Sequence, residues 1–426
     1  MAASPILEEF SGSASGRMIG GLAGYQPGMV PPALTAEMAG RAPRSLAIYP
    51  AAAGFELVEE LEHLCARSVE PNLFFNPRFL APAMPRLEDK DVRLAVIRDG
   101  DEFRSRLRLL VPYTIERPAN PFGVTIMRTW SSPFGPLGTP LLDRDDPAGV
   151  LSDFLDMLAR PHLKFPPVLV LPEVRLDGPF AALATALADA RGLPLETVGG
   201  FERAHIVSDM EGDAYLKAAM STHRHKELRR LRRRLAEQAP LEYRVARQPY
   251  ELRLGIESFL ALEASGWKGR RRTAMAVDRF RAAFVREAAQ RLGERDLCRV
   301  HELRLGERVV ASLVVFVEAG VAYTWKTAYD EDLAAYSPGA LLMAEVTRTH
   351  LEDPNIDVTD SCAAPDHPVV NHLWSERRPL GTLVIGLSPD SGRHTRQAAS
   401  QLQLYRKTRN MTRILRERVR KAFRRD

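Results

Sequence analysis

Apolar and polar positions along this chain switch between a period near 3.6 and a period near 2, which predicts a mixed α/β fold. Phe55–Cys65 sets Leu57, Leu61, Leu64 and Cys65 on one helical face. Val92–Ile97, Arg106–Thr114 and Thr125–Trp130 read as strands, with Asp99-Gly100-Asp101 turning the first into the second. A helix over Val150–Arg160, a strand over Pro167–Leu171 and a helix over Pro179–Arg191 follow. From Asp213 the order returns. A helix over Asp213–Ala239, a short strand Tyr243–Val245 and helices Tyr250–Ser265 and Val277–Leu292 precede a hairpin of Leu297–Leu305 and Val309–Glu318. Strand Val321–Ala328, helix Ser337–Leu351, strand Ile356–Ser361, helix Val369–Glu376 and strand Leu383–Leu387 complete the second unit. Two units with matching element order predict a duplicated α/β architecture. The expected boundaries are a disordered leader over 1–45, a first domain over 46–205, a second over 206–390 and a tail over 391–426.

A chain of 426 residues, 45% hydrophobic and 27% charged, has material for two soluble cores. No apolar run approaches the roughly 18 residues that a membrane span needs. Met1–Phe10 carries Glu8 and Glu9 without a basic flank, unlike a signal peptide. Cys65, Cys298 and Cys362 are too far apart for a disulfide framework or a metal motif. The expected location is cytoplasmic, peripheral at the inner face of the membrane. Charge is unevenly spread: from Arg393 onward 12 basic residues face only Glu417 and Asp426, so this segment carries 12 − 2 = +10 of a chain whose net charge is +5. Met411, Ile414, Leu415 and Val419 keep helical spacing within it. A basic amphipathic helix of this kind suits an anionic membrane surface, a synthase complex or the chain's own acidic body.

One stretch carries most of the chemistry. Trp325-Lys326-Thr327-Ala328-Tyr329-Asp330 ends a strand, and Tyr336-Ser337-Pro338-Gly339-Ala340 opens a helix. Free N–H groups and the positive end of the helix dipole would meet there, which is a place to hold phosphate. The ordinary reading of Ser-Pro-Gly is a helix cap. The second part of this stretch runs on through Leu341-Leu342, and three further blocks keep the order: Glu263-Ala264-Ser265-Gly266-Trp267-Lys268-Gly269 before it, then Asp360-Ser361-Cys362-Ala363-Ala364-Pro365-Asp366-His367 and Leu373-Trp374-Ser375-Glu376-Arg377 after it. With these blocks the second unit resembles the acyltransferase domain of the GNAT superfamily in its FemAB-like form, and more closely the CelD-type (cellulose-biosynthesis) acetyltransferases. The first unit is similar more loosely, through Asn72–Pro77 and the loop Trp130–Leu142.

The resemblance implies tandem GNAT-like mixed, twisted sheets flanked by helices, splayed to admit a pantetheine arm. It implies acetyl-CoA or another acyl-CoA as donor, with direct attack by an amine or hydroxyl of a cell-envelope sugar or exopolysaccharide precursor. The chain departs from the common Gly-rich GNAT pyrophosphate loop, having one Gly in Leu333–Gly339. FemAB-like members include users of aminoacyl-tRNA, so a tRNA-linked donor delivered to a peptidoglycan precursor is an alternative. A non-catalytic scaffold of a polysaccharide-synthase assembly is another.

Acyl transfer needs a donor grip, a polarised carbonyl and a base. Tyr336, Ser337, Gly339 and Ala340 are the expected grip, with Lys326 reaching phosphates or, on the bland reading, guarding an edge strand. Asp360 at a strand end is a candidate base or merely a turn cap, and His367 titrates in the useful range. Glu263, a further catalytic candidate, precedes Trp267 and Lys268, which read as a lid over substrate or as a core anchor. Asp366 is a candidate substrate contact. Cys362, Asp366, His367 and His372 lack the paired spacing of a zinc site, and no metal is expected. His223–Leu235 forms a helix with Leu228, Leu231 and Leu235 on one face and a strongly basic remainder. Nucleic acid (tRNA in the alternative reading), anionic lipid and a phosphorylated substrate are its candidate partners, and the ordinary reading is a solvated face.

Overall fold

The computed structural model describes residues 30–38, 44–88, 90–100, 105–118 and 123–406. The basic segment beyond Arg406 and the leader before Val30 lie outside the described residues. The strands are β1 (Leu34–Met38), β2 (Arg44–Pro50), β3 (Arg93–Asp99), β4 (Arg106–Glu116), β5 (Ile126–Thr129), β6 (Leu141–Leu142), β7 (Val168–Arg175), β8 (Leu195–Ile206), β9 (Leu241–Ala246), β10 (Cys298–Leu305), β11 (Arg308–Glu318), β12 (Val321–Tyr329), β13 (Val358–Asp360) and β14 (Glu376–Gly386). All belong to one sheet, ordered β1-β2-β3-β4-β5-β7-β14-β8-β13-β12-β11-β10-β9, with β6 beside β4.

Each unit is an antiparallel meander that ends in one parallel pair, β5 with β7 in the first and β12 with β13 in the second. The units are joined by exchange. β14, from the end of the chain, pairs antiparallel with β7 of the first unit and with β8 on its other side. β8 in turn pairs antiparallel with β13.

The helices are α1 (Val58–Cys65), α2 (Pro77–Leu87), α3 (Pro147–Leu158), α4 (Pro179–Ala190), α5 (Gly212–Ala219), α6 (Thr222–Ala236), α7 (Pro249–Ser265), α8 (Trp267–Arg270), α9 (Arg279–Gly293), α10 (Pro338–Glu352) and α11 (Val370–Leu373), followed by helix 392–406. Alternate strand residues feed opposite faces. On one face Phe79 of α2, Phe284 of α9, Phe316 of β11 and Trp325 of β12 share a single core that runs through both units. On the other face each unit keeps its own core, with Phe154 and Phe180 in one and Leu313, Val315 and Trp374 in the other.

The structure differs from the sequence reading in several places. The expected helix Asp213–Ala239 is two helices, because Met220 is extended and Ser221 caps α6 by accepting from the Arg224 N–H. The expected helix Val369–Glu376 is the single turn α11, and Glu376 already begins β14. β8 and β6 were not foreseen, and β1 lies inside the stretch read as leader.

Candidate active site

β12 and β13 run side by side only from Val321↔Val358 to Tyr323↔Asp360, and β12 then continues alone to Tyr329. On this side the edge of β12 beyond Tyr323 has no ladder partner among the described residues, although its other edge stays paired with β11; we term this unpaired stretch the V. The Asp330 N–H donates to the Val310 carbonyl of β11. Ladder alternation then turns the N–H groups of Tyr329 and Thr327 toward the open side. Close by, the register between β11 and β12 slips: Val314 faces Lys326 and Val315 faces Thr324, leaving Trp325 as a bulge. Bulges re-aim side chains, and here the slip sits at the mouth of the V.

Across the opening stands the start of α10. Ser337 takes a left-handed conformation (φ 52°) and its hydroxyl does not cap the helix. Pro338 has no N–H, while those of Ala340 and Leu341 return to the Ser337 carbonyl. Among the described residues the Gly339 N–H has no acceptor. A Cβ on Gly339 would come no closer than 3.5 Å to Tyr329, so the glycine keeps this entrance clear rather than relieving a clash. The Arg234 guanidinium of the basic helix α6 lies 5.6 Å over the Tyr336 ring, and Arg232 pairs with Glu345 of α10 at 3.1 Å. Positive charge thus borders the helix N-terminus that the sequence singled out.

The first unit repeats this geometry and fills it. Its helix α3 also starts from a left-handed residue followed by proline, Asp146 (φ 54°) and Pro147. The Asp146 carboxylate accepts from the Gly149 N–H and pairs with Arg44, whose guanidinium holds the carboxyl below its usual range. The gap beyond the β5–β7 pair is occupied by the chain itself. Thr129 donates to the Gly138 carbonyl at 3.0 Å, and a Cβ on Gly138 would stand 2.3 Å from the Pro172 carbonyl.

The other expected site residues have definite partners. Lys326 Nζ donates to the Pro133 carbonyl at 2.8 Å and lies 4.9 Å over the Phe134 ring, while Trp325 Nε1 donates to the Phe134 carbonyl at 2.6 Å. The first unit's loop therefore forms one wall of the second unit's site. Burial, with repulsion from Lys268, pushes the Lys326 amine down to about 8. Asp360 is 1% exposed; it accepts from the Cys362 N–H at 2.8 Å and faces buried Arg203 at 3.7 Å. Glu263 is buried and uses both oxygens, one for Lys268 Nζ at 2.6 Å and one for the Met275 N–H at 2.7 Å. His367 Nδ1 accepts from the N–H groups of Val369 and Val370, and burial lowers its pKa. That leaves the ring proton on Nε2. Asp366 is exposed on the same loop.

Lys326, Lys268, Glu263 and Cys362 are thus close enough to act on one another's charge, while Gly339 at the start of α10 lies against Tyr329 at the far end of β12. Sequence reasoning singled out Arg234 only as part of the basic helix 223–235, and it missed Arg203 and the carbonyls of Pro133 and Phe134. Only the Pro/Gly punctuation of 131–140 marked that last loop as special.

Residues 222–366 match the family described as acetyltransferase (GNAT) domain. The chain carries a GNAT acetyltransferase domain, and it is a transferase. Two solved structures share the overall fold. A conserved protein of unknown function from Bacteroides thetaiotaomicron is 12% identical, with 78% of this chain and 97% of that chain covered at a TM-score of 0.50. FemX is 10% identical, with 77% and 95% covered at a TM-score of 0.51. No curated protein matches the chain at a significant level. The GNAT match spans α6 to the loop after β13, so it includes both the V and the open start of α10. No helix among the described residues is long and apolar enough to cross a membrane.

Proposed function

We propose that the protein transfers an acyl group from acyl-coenzyme A to an amine or hydroxyl of a cell-envelope sugar or exopolysaccharide precursor. The observation that carries this reading is the open V of β12 and β13 facing the uncapped start of α10. A pantetheine arm has the width of an absent strand, and its amides would meet the outward N–H and C=O groups of Thr327 and Tyr329. The donor's phosphates would take the Gly339 N–H, the Ser337 hydroxyl and the dipole of α10, with Arg234 beside them.

In this reading the thioester carbonyl lies at the Trp325 bulge, where Lys326 meets it. The amine, poised near 8, takes the acceptor's proton as the acceptor nitrogen or oxygen bonds the acyl carbon; the coenzyme A thiolate leaves. Burial and a neighbouring cation favour the neutral amine, which is what a base near neutrality requires. Glu263 acts at one remove: it fixes Lys268 and the backbone at Met275, and so sets the wall that carries Trp267. Asp360, held by Arg203, fixes the turn at Cys362.

The test is calorimetric titration of acetyl-coenzyme A into the full-length protein, with Gly339→Asp as control. Micromolar binding, weakened at least about 100-fold in the variant, is the expected result. Absence of binding to the wild type would abandon the coenzyme A donor. One observation favours a second donor, aminoacyl-tRNA: α6 lays a row of arginines along the same helix N-terminus. That reading requires tRNA to bind more tightly than an unrelated polyanion at physiological salt.

A further inference from the structure

The tip of the α7–α9 hairpin differs from the rest of the surface. The two helices run antiparallel: Gly293 at the end of α9 abuts Leu252 at the start of α7, while Glu263 near the end of α7 accepts from the Met275 N–H just before α9. Residues 266–281 turn the corner between them. Within this short stretch Trp267 is 43% exposed, Val277 51% and Phe280 49%. The same stretch holds Lys268, Arg270, Arg271, Arg272, Arg279 and Arg281 against the single acid Asp278, a net 6 − 1 = +5.

The arrangement pairs apolar groups with cations. Arg271 lies 4.9 Å over the Trp267 ring and Arg279 lies 4.7 Å over Phe280. Lys268, Arg270 and Arg281 are engaged by Glu263, Glu331 and Asp278. Arg271, Arg272 and Arg279 have no carboxylate within ion-pair distance among the described residues. The tip is also held in shape, because both Lys268 and the Met275 N–H are fixed on Glu263 and the Trp267 N–H donates to Glu331 at 2.6 Å. Displaying these side chains therefore requires no ordering of the loop.

We propose that this tip docks the protein on an anionic lipid bilayer, with Trp267, Val277 and Phe280 entering the headgroup–acyl boundary and Arg271, Arg272 and Arg279 meeting lipid phosphates. Amphipathic rings settle at that depth, an aliphatic valine gains from leaving water, and guanidinium groups seek the anionic layer just above. A nucleic acid would satisfy the arginines but offers Val277 nothing. The tip is tied through Glu331, which follows the end of β12, so docking would bring that end of the strand close to the membrane. Docking itself does not depend on the acyl-transfer reading and is measured without any donor.

Trp130, Trp325 and Trp374 are buried, so Trp267 is the one tryptophan that lipid can reach in the folded chain. The experiment mixes the full-length protein with phosphatidylcholine vesicles, with and without phosphatidylglycerol, each carrying brominated acyl chains. The expected result is quenching of tryptophan emission only with phosphatidylglycerol present, lost in Trp267→Phe although that variant still sediments with the vesicles. Val277→Ser with Phe280→Ser should weaken partitioning about tenfold or more. Arg271→Gln with Arg279→Gln should remove the phosphatidylglycerol dependence, and circular dichroism checks that each variant is folded. Sedimentation without quenching would assign vesicle binding to the basic segment beyond Arg406 and overturn the proposal. Absence of both, or quenching produced equally by RNA without vesicles, would overturn it as well.

Discussion

The starts of α3 and α10 are the same device in two conditions. Each helix begins from a left-handed residue and a proline, beyond a parallel strand pair that parts. In the first unit the cap is Asp146, whose carboxylate takes the Gly149 N–H and is itself held by Arg44, and the gap is packed by the loop around Gly138. In the second unit Ser337 leaves the helix uncapped and Gly339 leaves the approach clear. The difference is one of occupancy: a carboxylate neutralises the dipole and saturates the donor, so the first site stabilises its own fold while the second remains able to bind an outside anion. The filled loop is not idle, because its Pro133 and Phe134 carbonyls hold Lys326 and Trp325 across the unit boundary.

The largest expected effect comes from the wall that the V depends on. Asp360→Ala leaves Arg203 buried without a counter-charge and should cost about 3–5 kcal/mol in urea unfolding. A loss below about 1 kcal/mol would mean that the pair does not set the geometry of the opening. Next is the direct exchange of caps. Ser337→Asp should give α10 the closure that α3 has, weakening acyl-coenzyme A binding about 100-fold while raising stability by about 1 kcal/mol. Unchanged affinity would remove α10 from the donor site.

The third effect is on pH. With Lys326 depressed to about 8, the unfolded chain binds more protons than the folded one between about 8 and the usual lysine range. This group's contribution to stability therefore improves as pH rises through that window. Turnover should instead rise around pH 8, where the amine of the folded chain becomes neutral, and level off above it. Lys326→Arg should lower turnover about 100-fold and flatten that rise, and a retained profile would assign the proton to another group. The smallest effect belongs to the reciprocal exchange. Asp146→Ser should cost about 1 kcal/mol and create no second donor site in titration, because the gap beside it stays packed.

What the sequence displayed was the part written locally. The strand Val321–Ala328 and the helix opened by Ser337-Pro338-Gly339 follow from period and cap chemistry within a few residues. Lys326 was legible as an odd lysine in an apolar strand, but its partner at Pro133 stands 193 residues away and leaves no local mark. Asp360 has the same history, since buried Arg203 sits in β8, whose Gly199-Gly200 interruption hides the strand pattern. The break at Met220-Ser221 was missed because both halves have helical periodicity and only the Ser cap separates them. The repeated left-handed residue before Pro147 and Pro338 was visible as Asp-Pro and Ser-Pro. It acquires meaning only once both are seen to open the crossover helix between the two strands of a parallel pair.

The exchanged strand β14 has a consequence for how the chain is made. Its Leu380 pairs with Arg175 and its Arg377 with Ala204, so the seam of the sheet is closed by residues that leave the ribosome long after β7 and β8. Until then β7 and β8 each present an unpaired edge, the kind of template on which chains aggregate. A gene fragment ending with the GNAT match at residue 366 would lack that seam altogether. Cutting the chain at its recognisable domain is therefore expected to yield insoluble material, and the smallest workable unit for expression extends at least through Gly386.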